Sequence, residues 1–276
     1  MFCPLFTLRR SATKSHRRQQ SVGRWRASQG GFSLLEVALA LTIMTFALTS
    51  ALPLLQQALQ DGRRRTTETR LQQAQNALAT YLRQTGRLPC PARAVSRGGG
   101  EPLGAEVGSG ALGAAIPTNC GGMGDGLLPF RTLGLAGQAS AQDGWGHWLT
   151  YRVTPRLADG NLTTNPITDF CGVRPSSALS VVDQDGISLS GGQVVAFVLL
   201  SHGENGGDNG AGAIRLDQAR VPAPTASEAE NSNDDATFMA RPLSQNPDDP
   251  FDDLVVWQTQ ANAVSFFGAG TTPICR

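Results

Sequence analysis

Acidic side chains are missing from one end of this chain. No Asp or Glu occurs in the first 35 residues, where Arg9, Arg10, Lys14, Arg17, Arg18, Arg24 and Arg26 gather. Net charge over the 276 residues is nonetheless only +1, because most of the acids lie in the C-terminal half. There is no global basic surface and no basic, aromatic-lined stripe, so nucleic-acid binding is not expected. The cysteines never fall at CxxC spacing, which removes the usual zinc arrangement. Histidine is scarce: of three, His16 lies in the basic segment, leaving His147 and His202. Ser201 and His202 are neighbours on a strand pattern and would point to opposite faces, so they form no local Ser–His pair. Ser190-Gly191-Gly192 lacks the GxSxG elbow. The glycine run from Gly121 to Gly126 lacks the Lys-Ser/Thr ending of a phosphate loop. No catalytic residue is expected from these patterns.

What the chain does have is one long apolar run. It opens Gly30-Gly31-Phe32-Ser33-Leu34-Leu35-Glu36-Val37-Ala38-Leu39-Ala40-Leu41 and stays apolar to about Leu55. Leu34 to Leu55 is long enough to cross a bilayer as a helix, since about 20 residues cover a hydrocarbon core of about 30 Å. The basic flank before it places the N-terminus in the cytoplasm and the rest across the membrane. Glu36 stands out, because a charge inside such a run costs a few kcal/mol or more, about 3 by insertion scales. An ordinary secretory signal is the alternative, with its small-residue cleavage site after the apolar region, around Thr49-Ser50-Ala51. That alternative would make the protein a secreted or membrane-tethered periplasmic enzyme, and it leaves Glu36 unexplained.

The order small residue, aromatic, one carboxylate four residues on, then an apolar run resembles the prepilin signal of type IV pilins and of type II secretion pseudopilins. The resemblance implies cleavage between Gly31 and Phe32 by a membrane prepilin peptidase, and N-methylation of Phe32. It implies that Glu36 meets the N-terminal amine of a neighbouring subunit, since a buried charge is tolerated only when paired. Pro53 falls where many pilins carry a helix-bending proline. The implied partners are the peptidase, other pilin or pseudopilin subunits and an inner-membrane assembly platform. The implied location is the inner membrane as a single-pass protein with a periplasmic head, then a filament.

After residues 1–31 as a cleaved leader and 32–55 as the membrane and assembly helix, the helical pattern continues as an amphipathic stalk over 56–85. Asp61-Gly62 is a weak point within it. Leu71, Ala74, Ala77, Leu78, Tyr81 and Leu82 recur at three and four residues and mark one apolar face. Gly86 and Pro89 end the helix. Residues 86–276 read as a β-rich head. Strand patterns cover 148–154, 181–182 with 187–189 around a turn at Asp183–Gly186, 193–200 and 253–259. Ser201 to Pro250 reads as a polar excursion with little core of its own. The expected class is α+β: a pilin-like lollipop, with a long N-terminal helix packed on an antiparallel sheet with long loops.

Five cysteines occur. Cys3 lies in the leader, and an even number remain in the exported part, as suits disulfides in an oxidising compartment. Of the three connectivities, Cys90–Cys120 with Cys171–Cys275 is favoured: the first closes a local Gly-rich loop and the second ties down the C-terminus. Three head segments also resemble the major pseudopilin: Asp143-Gly144-Trp145-Gly146 with the strand after it, the strand 197–200 leading into Ser201-His202-Gly203-Glu204-Asn205-Gly206, and Asp252-Asp253-Leu254-Val255-Val256-Trp257. The head here is longer, with about 45 residues between the last two. By that resemblance calcium is a candidate ligand at Glu204, Asp208, Asp252 and Asp253, with Asp248 and Asp249 nearby, because hard cations take six to eight oxygen ligands. A solvated acidic loop that keeps an edge strand soluble is the plain alternative. No other cofactor is called for.

Overall fold

The computed structural model describes residues 33–93, 102–108, 118–122, 124–158, 179–204, 206, 226–233 and 235–267. The chain divides into two units, Met1–Pro53 and Leu54–Arg276.

Helix α1, Leu34–Thr85, is 52 residues long and continuous through Gly62, the expected weak point. Its start is fixed by Ser33, whose hydroxyl accepts from the Glu36 amide at 3.2 Å. Ser-x-x-Glu is the capping-box spacing. Hydroxyls in the apolar part turn back on the helix: Thr42 donates to the Leu39 carbonyl, Thr49 to Thr45 and Ser50 to Phe46. None of these side chains therefore needs water, as a span through lipid requires. Past Gly62, Thr66 does the same to the Gly62 carbonyl. The helix closes at Gly86, in the left-handed region at φ +74°, its amide bonded to the Leu82 carbonyl.

In the second unit, α1 buries Thr67, Leu71, Ala74, Leu78, Ala79 and Leu82. The expected face is present, with Ala79 added and with Ala77 and Tyr81 half-buried. It packs against a four-stranded antiparallel sheet in the order β1 (Gly126–Leu127), β2 (Thr150–Val153), β4 (Val195–Ser201), β6 (Leu254–Thr259). The apolar run of β4 is explained by burial on both sides. Ala196, Phe197 and Leu199 join the cluster with Leu71, Leu78 and Tyr151. Val195, Val198 and Leu200 join Leu179, Val181 and Phe238 on the other face. That second layer is a two-stranded sheet of β3 (Ser180–Val182) and β5 (Thr237–Met239), and it is parallel.

Two readings need correction here. The sheet structure is not wholly antiparallel. The polar excursion also carries core: Phe238 is buried, and the short helix α2, Ala226–Glu230, precedes it. A three-residue strand is too short to show a period, so one buried aromatic was hidden among polar residues. The turn after β3 is as expected, with Asp183 Oδ1 accepting from the Asp185 and Ile187 amides, both at 2.9 Å. A last helix, α3, spans Gln260–Phe267.

Candidate functional site

Two features of the described chain carry chemistry beyond packing. The first is the N-terminal part of α1. Apolar side chains project from it on every side: Leu34 is 91% exposed, Phe46 77% and Leu54 69%, and the pattern runs on to Leu59. The helix is long and apolar enough to cross a membrane. A soluble surface helix would show one polar face, and this stretch has none. Glu36 is exposed in its first turn, where the positive end of the helix dipole favours a carboxylate. Its side chain makes no hydrogen bond or ion pair among the described residues. Pro53 lies inside the helix, removing one backbone donor without ending it. Gly31 and Phe32, the expected cleavage and methylation positions, lie outside the described residues, as do Asp208, Cys171 and Cys275.

The second feature is a polar lock in the second unit, built from the three resembling segments. Asp143 is buried, with Oδ1 accepting from the Trp145 and His147 amides at 2.9 Å each and Oδ2 from the Ser201 hydroxyl at 2.7 Å. This turn presses on α1: the Gly144 amide donates to Thr67 Oγ1 at 2.9 Å, and Arg70 donates to the Gln142 and Asp143 carbonyls at 3.0 and 2.6 Å. A Cβ on Gly144 would sit 2.0 Å from the Arg63 carbonyl oxygen, so only glycine fits. His147 is a hydrogen-bonded turn residue, with Nδ1 3.0 Å from the Gly203 carbonyl oxygen.

The expected calcium ligands point in different directions. Asp252 Oδ2 accepts from the Glu204 amide at 2.7 Å. Asp253 Oδ2 accepts from Asn231 Nδ2 at 2.7 Å, on the other side of the strand. The exposed Glu204 carboxylate is held by Gln60 at 2.9 Å. Asp249 pairs with Arg241. Among the described residues, no group of three or more His, Cys, Asp or Glu converges as a metal site. Asp208 lies outside the described residues, so only part of the expected calcium set is in view; within it, Asp252 ties the 203–204 turn to the start of β6, and Asp253 ties that start to Asn231.

Thr150, His202 and Asp253 stand in a row, with 3.3 Å from Thr150 Oγ1 to His202 Nε2 and 3.9 Å from His202 Nδ1 to Asp253 Oδ1. All three are buried. As expected, Ser201 and His202 turn apart, one to Asp143 and the other to Thr150.

Behind the stalk lies a buried ion pair that the sequence reading missed. Arg87 donates to both oxygens of Glu106, at 2.9 and 2.8 Å, and Glu106 also accepts from the Tyr81 hydroxyl and the Cys90 amide, both at 3.0 Å. Burial, then the Glu106 carboxylate, push the Tyr81 phenol well above its usual value. Burial likewise raises Tyr151, whose hydroxyl donates to the Pro89 carbonyl. For Arg87, burial alone would lower the value, and its bonds to Glu106 override this and raise it. Cys90, next to this pair, is bonded to Cys120, as favoured from the sequence. The missed signal was two opposite charges, Arg87 and Glu106, flanking the Cys90 turn.

No family model, curated protein or solved structure matches the chain, so its function is argued from its own residues.

Proposed function

We propose that this protein is a structural subunit, a pseudopilin or minor pilin, of a type II secretion pseudopilus or a type IV pilus. One observation carries the reading: α1 begins as a helix bare of polar faces, with a single carboxylate, Glu36, one turn from its start. A bilayer covers such a helix while it waits, and a bundle of like helices covers it after assembly. In either setting the carboxylate needs a cation, and cleavage between Gly31 and Phe32 creates one at the new N-terminus of each neighbouring subunit. Prepilin peptidase makes that cut and methylates Phe32. The inner-membrane platform then lifts the subunit from its single-pass position, head in the periplasm, into the filament. The work is assembly and needs no cofactor.

The test is intact mass and N-terminal sequencing of the membrane-associated protein from its native host. The expected mature start is N-methylated Phe32. A start after Ala51, or an uncut chain, would overturn the reading.

A further inference from the structure

Three consecutive arginines, Arg63, Arg64 and Arg65, follow the last exposed leucine of α1, Leu59, by four to six residues. Arg64 is half-buried and pairs with Glu68 at 3.3 Å. Arg63 and Arg65 are exposed, and their guanidinium groups make no hydrogen bond or ion pair among the described residues. Beside Arg65 lies an open depression of about 300 Å³, lined by Arg65, Thr66, Thr69, Arg70 and Gln73. Arg70 is already committed to the carbonyls of Gln142 and Asp143. The depression is thus a basic hollow on the solvent side of the helix with one uncommitted guanidinium at its rim.

We propose that Arg63 and Arg65, which project from different sides of the helix, each bind the phosphodiester headgroup of an anionic phospholipid at the C-terminal end of the membrane span, which sets how deep the helix rides. This rests on the membrane reading above. The spacing suits it. The arginines stand 8 to 10 residues beyond Leu55, about 12–15 Å at 1.5 Å per residue. Helical side chains lean toward the helix N-terminus, here back toward the apolar segment. Long arginine stems can lie along that apolar surface while the guanidinium stays at headgroup depth. The planar guanidinium takes a phosphate with two parallel hydrogen bonds. A free inorganic anion would need no apolar neighbour, and the position next to Leu59 selects the lipid.

The experiment places a photo-crosslinking benzoylphenylalanine at Thr66, in the hollow, in the full chain. The chain is reconstituted in vesicles of equal phosphatidylglycerol and phosphatidylcholine, and lipid adducts are identified by mass. An arginine at an anionic surface is worth about fivefold in lipid partition, and of the two arginines only Arg65 rims the hollow, so phosphatidylglycerol adducts at Thr66 should exceed phosphatidylcholine adducts by about fivefold. In R63Q/R65Q the ratio should fall to near one. R83Q, on the same helix but far from the apolar segment, should keep the original ratio. Equal adducts in the parent chain, no lipid adduct at all, or an unchanged ratio in R63Q/R65Q would overturn the proposal, provided residues 34–55 are protected from protease by the vesicle. Residues 34–55 left open to protease would instead sink the membrane reading itself.

Discussion

Glu36 and Gly144 show two ways in which a single side chain sets what this chain can do. Glu36 is a charge that the helix itself does not pair. Replacing it with alanine removes a charge from the apolar run and so does not oppose membrane insertion. Glu36→Ala should therefore insert and be processed at Phe32 normally, yet be lost from filaments, read by comparing processed protein in membrane and filament fractions. Normal incorporation would contradict a pairing role. Ser33, just before it, escaped notice in the sequence because the apolar run drew the eye, although Ser-x-x-Glu is a known start signal. Gly144 acts by absence. A methyl there meets the Arg63 carbonyl at 2.0 Å, and helix backbone cannot yield as a flexible side chain can. Gly144→Ala should cost about 3 kcal/mol, at the upper end of ordinary substitutions, in a urea melt. Gly146→Ala makes a useful contrast, since no atom lies within 4 Å of its added carbon and only its positive φ is disturbed.

Among the elements, β4 was legible and its second cover was not. An apolar run of strand length announces a strand buried on both faces. It does not say what buries them: β3 left a short pattern at 181–182, but its parallel partner β5, three residues long, left none. The stalk face of α1 was legible because Leu71, Leu78 and Leu82 keep the helical period over three turns. The continuity at Gly62 was not, because a lone glycine costs only about 1 kcal/mol in a helix and neighbouring turns absorb it. The calcium set, drawn from resemblance, is only partly in view: adjacent Asp252 and Asp253 send one carboxylate oxygen each to different partners, and Asp208 lies outside the described residues. The link between α1 and the 88–107 segment makes its own prediction. Tyr81 stays protonated in the folded chain to higher pH than in the unfolded chain, where phenols titrate near pH 10. Below about pH 10 both states hold the proton and stability is unaffected by it; above, the unfolded chain releases protons first and stability falls. Tyr81→Phe should lessen that alkaline decline in denaturant melts at pH 9 to 11, leaving the share that comes from buried Tyr151. An unchanged slope would mean that the phenol titrates as if free.

At the scale of the whole molecule, stability is distributed between a covalent tie and a shared core. The Cys90–Cys120 bridge spans a sequence separation of 30, and its loss in C90A/C120A should cost about 3–4 kcal/mol by the loop-entropy estimate. The midpoint of a urea melt of C90A/C120A against the parent chain, without reductant, reads this directly, and equal midpoints would show that the bridge adds nothing to the folded state. The shared core has a practical corollary. One face of β4 is covered by Leu71, Leu78 and Leu82 of α1, so the later half of that helix belongs to the sheet as much as any strand does. A water-soluble version of this protein should therefore be trimmed at Gln60, after Leu59 and before Arg63. Trimming at the end of the helix, where the chain visibly changes character, would strip the sheet of its roof and leave an oily face that draws other molecules into aggregates.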